Sequence, residues 1–235
     1  MVRGVLFDLD NTLVTIDVDA FVEAYSEAMA RAVLPGEAER GLAVMMGASY
    51  RLLSVPDAPE TNRERLLGAL AADLGLPAEE LWQRIETASA AILPGLSRLA
   101  APIPGAAWAV REARARGLRV ALATNPIYPR SVVVGRMAWA GLDARDVDVI
   151  ACLEECRSTK PHPAHFRELA AALGLGPDQC LMVGDDPDQD LPARATGMAV
   201  HMVGDQGSRH VGDGVRAGPV AGLFHVWQDQ LPAAS

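Results

Sequence analysis

Short apolar runs flanked by turn residues recur along the chain and predict strands over 2–9, 118–124, 147–153, 180–183 and 198–203. Between the later runs the apolar positions shift to a helical spacing, over 106–116, 129–140 and 164–173. Each of these stretches stops at a glycine: Gly117, Gly141 and Gly174. A shorter helix is expected over 190–196, ahead of Gly197. Strands alternating with helices read as an α/β protein, a parallel sheet with right-handed crossovers.

Residues 17–93 break that alternation. Helical patterns run over 19–33, 37–54, 60–74 and 77–92, separated by Leu34-Pro35-Gly36, by 56–59 and by Gly75-Leu76-Pro77. Pro77 suits a first helical turn, and Glu79 and Glu80 fall at the positive end of that helix's dipole. No strand pattern occurs here, so the segment reads as a helical insertion between the first and second strands. The expected organisation is an α/β core over 1–16 and 95–235 with an inserted helical domain over 17–94, hinged near 13–17 and 94–105. Met45 and Met46 are expected to fill core between helices. The glycine-rich 204–222 reads as loop, and 223–227 as a segment docking the C-terminus.

The chain has 235 residues, half of them hydrophobic, enough to bury a core and to argue against disorder. No apolar stretch approaches a membrane span, and the N-terminus has no secretory pattern. A net charge of -9 argues against nucleic acid or an anionic membrane as partner. Three scattered cysteines fit a reducing cytoplasm, and Cys152 and Cys156 lack a zinc site's two-residue gap, so buried apolar roles are expected for them. Of 21 basic residues only one, Lys160, is lysine. A compact ammonium in a chain that otherwise uses arginine suggests a task that a planar guanidinium cannot perform.

The sharpest chemical signal is Phe7-Asp8-Leu9-Asp10-Asn11-Thr12. Residues i and i+2 of a strand point to one side, so Asp8 and Asp10 crowd two carboxylates at a strand's carboxyl end. That edge is where open α/β sheets bind ligands, and two such charges call for a shared proton or a cation. Three further strand ends supply matching groups: Thr124 and Asn125 after the second, Lys160 after the third, and Asp185, Asp186, Asp188 and Asp190 after the fourth. A hydroxyl, an ammonium and carboxylates around a metal suit a phosphoryl group.

The ordered motifs DLDNT, ATN, TKPHP and GDDPDQD resemble those of the haloacid dehalogenase superfamily, over nearly the whole chain from Phe7 to Asp190. The insertion resembles the type 1 cap of its phosphoglycolate phosphatase-like branch, and the resemblance implies a Rossmann-like core closed over by that cap. It implies Asp8 as nucleophile, forming an aspartyl-phosphate, and Asp10 as acid to the leaving alcohol and then base for water. Thr124 and the Asn125 backbone would hold phosphate oxygens, with Lys160 stabilising the nucleophile and phosphoryl group. Magnesium would be held by Asp8, the Asp10 carbonyl and Asp185, with Asp190 an outer or water-mediated partner. Asp186 stands where many relatives have serine, with helix capping as its plain alternative. His162 stands where relatives often have aspartate, and His162 with His165 as a separate metal site is the lesser reading.

By the same resemblance, an acid at Asp10 favours phosphate chemistry over dehalogenation, which lacks it. A lysine-free cap argues against the Schiff-base phosphonatase branch. The expected activity is magnesium-dependent hydrolysis of a small organophosphate by a monomer or homodimer. A phosphomutase is the alternative, and a non-catalytic binding protein a more distant one. The insertion's arginines, Arg31, Arg40, Arg51, Arg63, Arg65 and Arg84, could contact an anionic substrate, although solvated helix faces are the plainer expectation.

Overall fold

The computed structural model of the protein describes residues 1–55, 58–204, 209–212 and 214–232. Its main sheet is built from β1 (Gly4–Phe7), β4 (Arg119–Leu122), β5 (Val149–Ile150), β6 (Cys180–Gly184), β7 (Ala199–Val203), β8 (Arg209–Gly212) and β9 (Val215–Gly218). The strands lie in the order β5-β4-β1-β6-β7-β9-β8. All neighbours run parallel except β8, which pairs antiparallel with β9. β1 is central, with Val5 facing Val120 on one side and Leu181 on the other. Its four residues are buried, as expected of a parallel strand covered on both faces.

Helices α5 (Ala106–Ala115), α6 (Arg130–Trp139) and α7 (Pro163–Ala172) connect these strands. Two apolar layers result. One joins Val5, Phe7 and Leu122 to α5, α6 and the C-terminal Trp227; the other joins Leu6, Ala121 and Met182 to α7.

Between β2 (Val14–Ile16) and β3 (Ala100–Pro102), which pair as a two-stranded antiparallel ribbon, lie α1 (Val18–Val33), α2 (Ala38–Ser54), α3 (Asn62–Leu74) and α4 (Ala78–Leu96). Their starts are specified locally. The Asp17 carboxylate accepts the Ala20 amide at 3.1 Å, and Thr61 and Glu64 form a reciprocal capping box. Phe21, Met29, Leu52, Leu70, Leu81 and Ile85 form a separate apolar cluster, joined by Val132 and Leu153 of the sheet domain. The N-terminus of α3 is tied down as well, Asn62 N–H donating to Cys156 O and Arg63 N–H to Leu153 O, both at 2.7 Å.

Three expectations need correction. α4 continues through Pro94 to Leu96, because Leu93 packs against Gly135 of α6 and Leu96 is buried. The expected strand over 147–153 pairs only at Val149–Ile150, the apolar residues after it turning into a loop. The segment read as loop after Gly204 carries β8 and β9, held by backbone pairing of Val215 to Val200 and Gly218 to Val203 rather than by an apolar pattern. Residues 205–208 and 213 of that segment lie outside the described residues.

Candidate active site

The backbone brings the motif residues to one edge of the sheet. The Asp8 amide donates to Val183 O (2.8 Å) and the Ala123 amide to Phe7 O (2.6 Å), fixing the ends of β1, β4 and β6 side by side. After Asp8 the chain turns sharply: Leu13 and Val14 amides return to Leu9 O, and Asn11 adopts a positive φ of 55°. The Asn11 side-chain oxygen accepts the Ile16 amide at 3.1 Å, linking this turn to the ribbon that leads into α1.

A cleft of about 350 Å³ opens at this edge, lined among others by Asp8, Asp10, Thr124, Asn125, Lys160, Asp185, Asp186 and Asp190. Eight of the nine strand-end residues singled out from sequence therefore share one cavity; Asp188 does not line it. Lys160 is 2% exposed, with Nζ 2.7 Å from Asp8 Oδ1 and 2.6 Å from Asp190 Oδ1. Burial alone would lower its pKa, but the two carboxylates more than reverse this and raise it. Burial pushes the Asp8 carboxyl up to about 7, with Lys160 opposing and Asp190 and Asp10 adding to the rise. Asp185 is raised too, again chiefly by burial, while Thr12 Oγ1–H donates to its Oδ1 at 3.0 Å.

Carboxylate oxygens of Asp8, Asp185 and Asp190 lie within 4.8 Å of one another. Such an all-oxygen set fits a hard divalent cation, which would offset the negative charge that one ammonium leaves. Gly184 is required by this arrangement, because a Cβ there would run into the Asp190 carboxylate. Asp190 is fully buried and also accepts the Asp186 amide at 3.1 Å. The Asp186 carboxylate accepts the amides of Asp188 and Gln189 at the start of α8 (Pro187–Asp190), the helix-capping arrangement.

Asp10 has a partner that the motifs do not announce. Its Oδ2 accepts a hydrogen bond from Arg136 of α6, whose side chain is 1% exposed. The guanidinium is also packed over the rings of Phe21 (4.9 Å) and Tyr128 (5.1 Å), so it touches both the helical insertion and the sheet domain. A signal for it existed: Arg136 shares the buried face of α6 with Val132, Val133 and Met137, where an arginine demands a charge partner. Thr12 and Tyr128 carried no comparable signal.

The histidines diverge. His162 donates from Nε2 to Leu53 O of α2 at 3.1 Å, a bridge to the helical insertion, whereas His165 is buried against Phe166. None of the insertion's arginines lines the cleft. Arg31, Arg40, Arg51, Arg63 and Arg84 pair with Glu27, Glu37, Asp73, Glu79 and Glu80, and Arg65 donates to the carbonyls of Leu52, Val55 and Arg157. Met45 packs at the margin of the insertion's cluster, but Met46 is 63% exposed and fills no core. Cys152 and Cys156 are buried, as expected, and so is Cys180; all three are free.

The haloacid dehalogenase-like hydrolase family model matches residues 2–196, most of the chain. The protein belongs to that family. Phosphoglycolate phosphatase of Rhodospirillum rubrum is 28% identical over 211 residues, 85% of this chain and 78% of the relative. A phosphoserine phosphatase of Thermus thermophilus is 38% identical over 109 residues, covering 45% of this chain and 41% of its own. Among solved structures, a 2-haloacid dehalogenase of Pseudomonas syringae aligns at a TM-score of 0.60 and 24% identity, covering 97% and 99% of the two chains. A predicted phosphoglycolate phosphatase of Haemophilus somnus aligns at 0.57 and 20% identity, covering 96% and 97%. These likenesses establish the shared α/β fold. No helix among the described residues is long and apolar enough to cross a membrane.

Proposed function

We propose that this family member is a magnesium-dependent phosphomonoesterase working on a small phosphorylated metabolite through an aspartyl-phosphate, in a reducing cytoplasm. The observation that carries the reading is the buried Asp8–Lys160 pair at 2.7 Å, set in a cleft with Thr124, Asn125 and Asp185. A carboxylate at the strand end faces the incoming phosphorus, and an ammonium beside it offsets charge on the transferring group. Phosphatase relatives such as that of Rhodospirillum rubrum support the reaction class.

In this mechanism Asp8 attacks phosphorus while the ester oxygen departs with a proton from Asp10. Asp10, now a carboxylate, takes a proton from water as that water attacks the phosphorus of the aspartyl-phosphate. Inorganic phosphate leaves and Asp8 is restored. Thr124 and the Asn125 backbone hold the phosphoryl oxygens. Asp8 and Asp185 carboxylates and the Asp10 backbone carbonyl would hold magnesium, which supplies charge neutralisation for the phosphoryl oxygens when bound. Arg136, hydrogen-bonded to Asp10 Oδ2, sets where that carboxylate sits. The helical insertion, joined through the β2–β3 ribbon, acts as the cap that shields this chemistry from bulk water.

The aspartate at position 10 separates this reading from dehalogenation despite the fold shared with the Pseudomonas enzyme. The test is hydrolysis of p-nitrophenyl phosphate with and without magnesium. Activity is expected in the wild type and lost in Asp8→Asn and on chelation; activity indifferent to both would refute the mechanism.

A further inference from the structure

We propose that the preferred substrate is the phosphate ester of a small uncharged alcohol, its non-phosphate part lying against Val18, Val22, Ile127 and Tyr128, and that esters bearing a second anionic group are disfavoured. This rests on the phosphomonoesterase reading of the cleft and adds the substrate class.

The first argument is charge. Asp8, Asp10, Asp185, Asp186 and Asp190 line the cleft, against Lys160 as its cationic side chain among the described residues. Lys160 is already shared between Asp8 and Asp190, and with one divalent cation it serves the transferring phosphoryl group. Arg136 does not line the cleft; it packs over the rings of Phe21 and Tyr128 and is engaged with Asp10. A carboxylate or second phosphate on the leaving group would therefore enter an acidic cleft with no counter-charge to meet it.

The second argument is the apolar part of the lining. Val18 and Val22, one helical turn apart on α1, are 39% and 42% exposed and both face this cleft. Isolated exposed valines are unremarkable, but this pair shares the cleft's lining with Ile127 and Tyr128. Burial pushes the Tyr128 phenol up to about 12, so it offers a neutral hydroxyl rather than a charge. The volume, about 350 Å³, lies near the lower end for ligand pockets and suits a small molecule.

The inference sets this chain apart from its phosphoglycolate phosphatase relatives, since glycolate is itself a carboxylate. It equally disfavours a mutase working on a sugar carrying a second phosphate.

The experiment is calorimetric titration of the wild-type protein in magnesium with two non-hydrolysable probes. Benzylphosphonate mimics an aryl ester, and 3-phosphonopropionate mimics phosphoglycolate. Benzylphosphonate is expected to bind at least about tenfold more tightly. In Val22→Arg the gap should shrink or reverse through a gain for 3-phosphonopropionate. Equal affinities, a preference for 3-phosphonopropionate, failure to bind either probe, or an unchanged gap in folded Val22→Arg overturns the inference. The outcome is separable from the phosphatase reading. Preference for benzylphosphonate without hydrolysis of any phosphomonoester sinks the reaction and leaves the binding inference standing. Hydrolysis of 2-phosphoglycolate in preference to phenyl phosphate does the reverse.

Discussion

Asp10, proposed as acid and then base, is held in place by Arg136. The guanidinium reaches Asp10 from the buried face of α6 and is covered by Phe21 and Tyr128, so its position answers to the insertion as well as to the sheet. Replacing it leaves a partly buried carboxylate without its counter-ion. Arg136→Met is expected to cost roughly 2–3 kcal/mol in denaturant titration, less than for a fully buried pair because Asp10 is part exposed. It should lower kcat for p-nitrophenyl phosphate by about ten- to a hundredfold, the size of effect that a misplaced catalytic group produces. Arg136→Lys should recover part of kcat, since an ammonium restores the charge without the planar stacking. An undiminished kcat in Arg136→Met would show that the pair does not position Asp10. At this scale the sequence told much: residues chosen for their chemistry at strand ends share one cleft. It did not tell how the charges are paired. The distance from Asp10 to Arg136 spans 126 positions, and only the burial of one helix face hints at it.

Elements were legible wherever an apolar rhythm matched a secondary-structure period. The four insertion helices and the three covering helices stand within a few residues of expectation, because caps and glycine stops mark their ends. Where tertiary packing decided, the rhythm failed. Pro94 and Gly95 look like a stop, yet α4 runs past them because Leu93 and Leu96 find packing partners. β8 and β9 depend on backbone pairing beside β7, which a glycine-rich stretch does not advertise. The C-terminal α9 (Leu223–Val226) docks this edge: Trp227 is fully buried, donates from Nε1 to His201 Nδ1 at 3.1 Å, and lies under Arg216. Trp227→Ala should therefore destabilise the protein by about 3–5 kcal/mol in chemical denaturation. A loss below about 1 kcal/mol would mean the C-terminal segment is not part of the cooperative core.

At the scale of the whole molecule, three of the places where the insertion meets the sheet domain lie on chain segments that lead to the candidate site. The β2–β3 ribbon joins directly to the turn after Asp10, and Asn62 and Arg63 anchor α3 to the 153–158 loop that precedes Lys160. His162, beside that lysine, reaches back to α2. These anchors lie on the chain segments that place Asp10 and Lys160. The central claim is covalent: Asp8 carries the phosphoryl group between two half-reactions. The direct measurement is rapid acid quench of the magnesium-loaded protein with 32P-labelled phenyl phosphate, followed by peptide mapping. The account predicts a transient, hydroxylamine-sensitive label on the peptide containing Asp8, absent from Asp8→Asn. Release of phosphate with no protein-bound label at any quench time, or label on a peptide lacking Asp8, would contradict it.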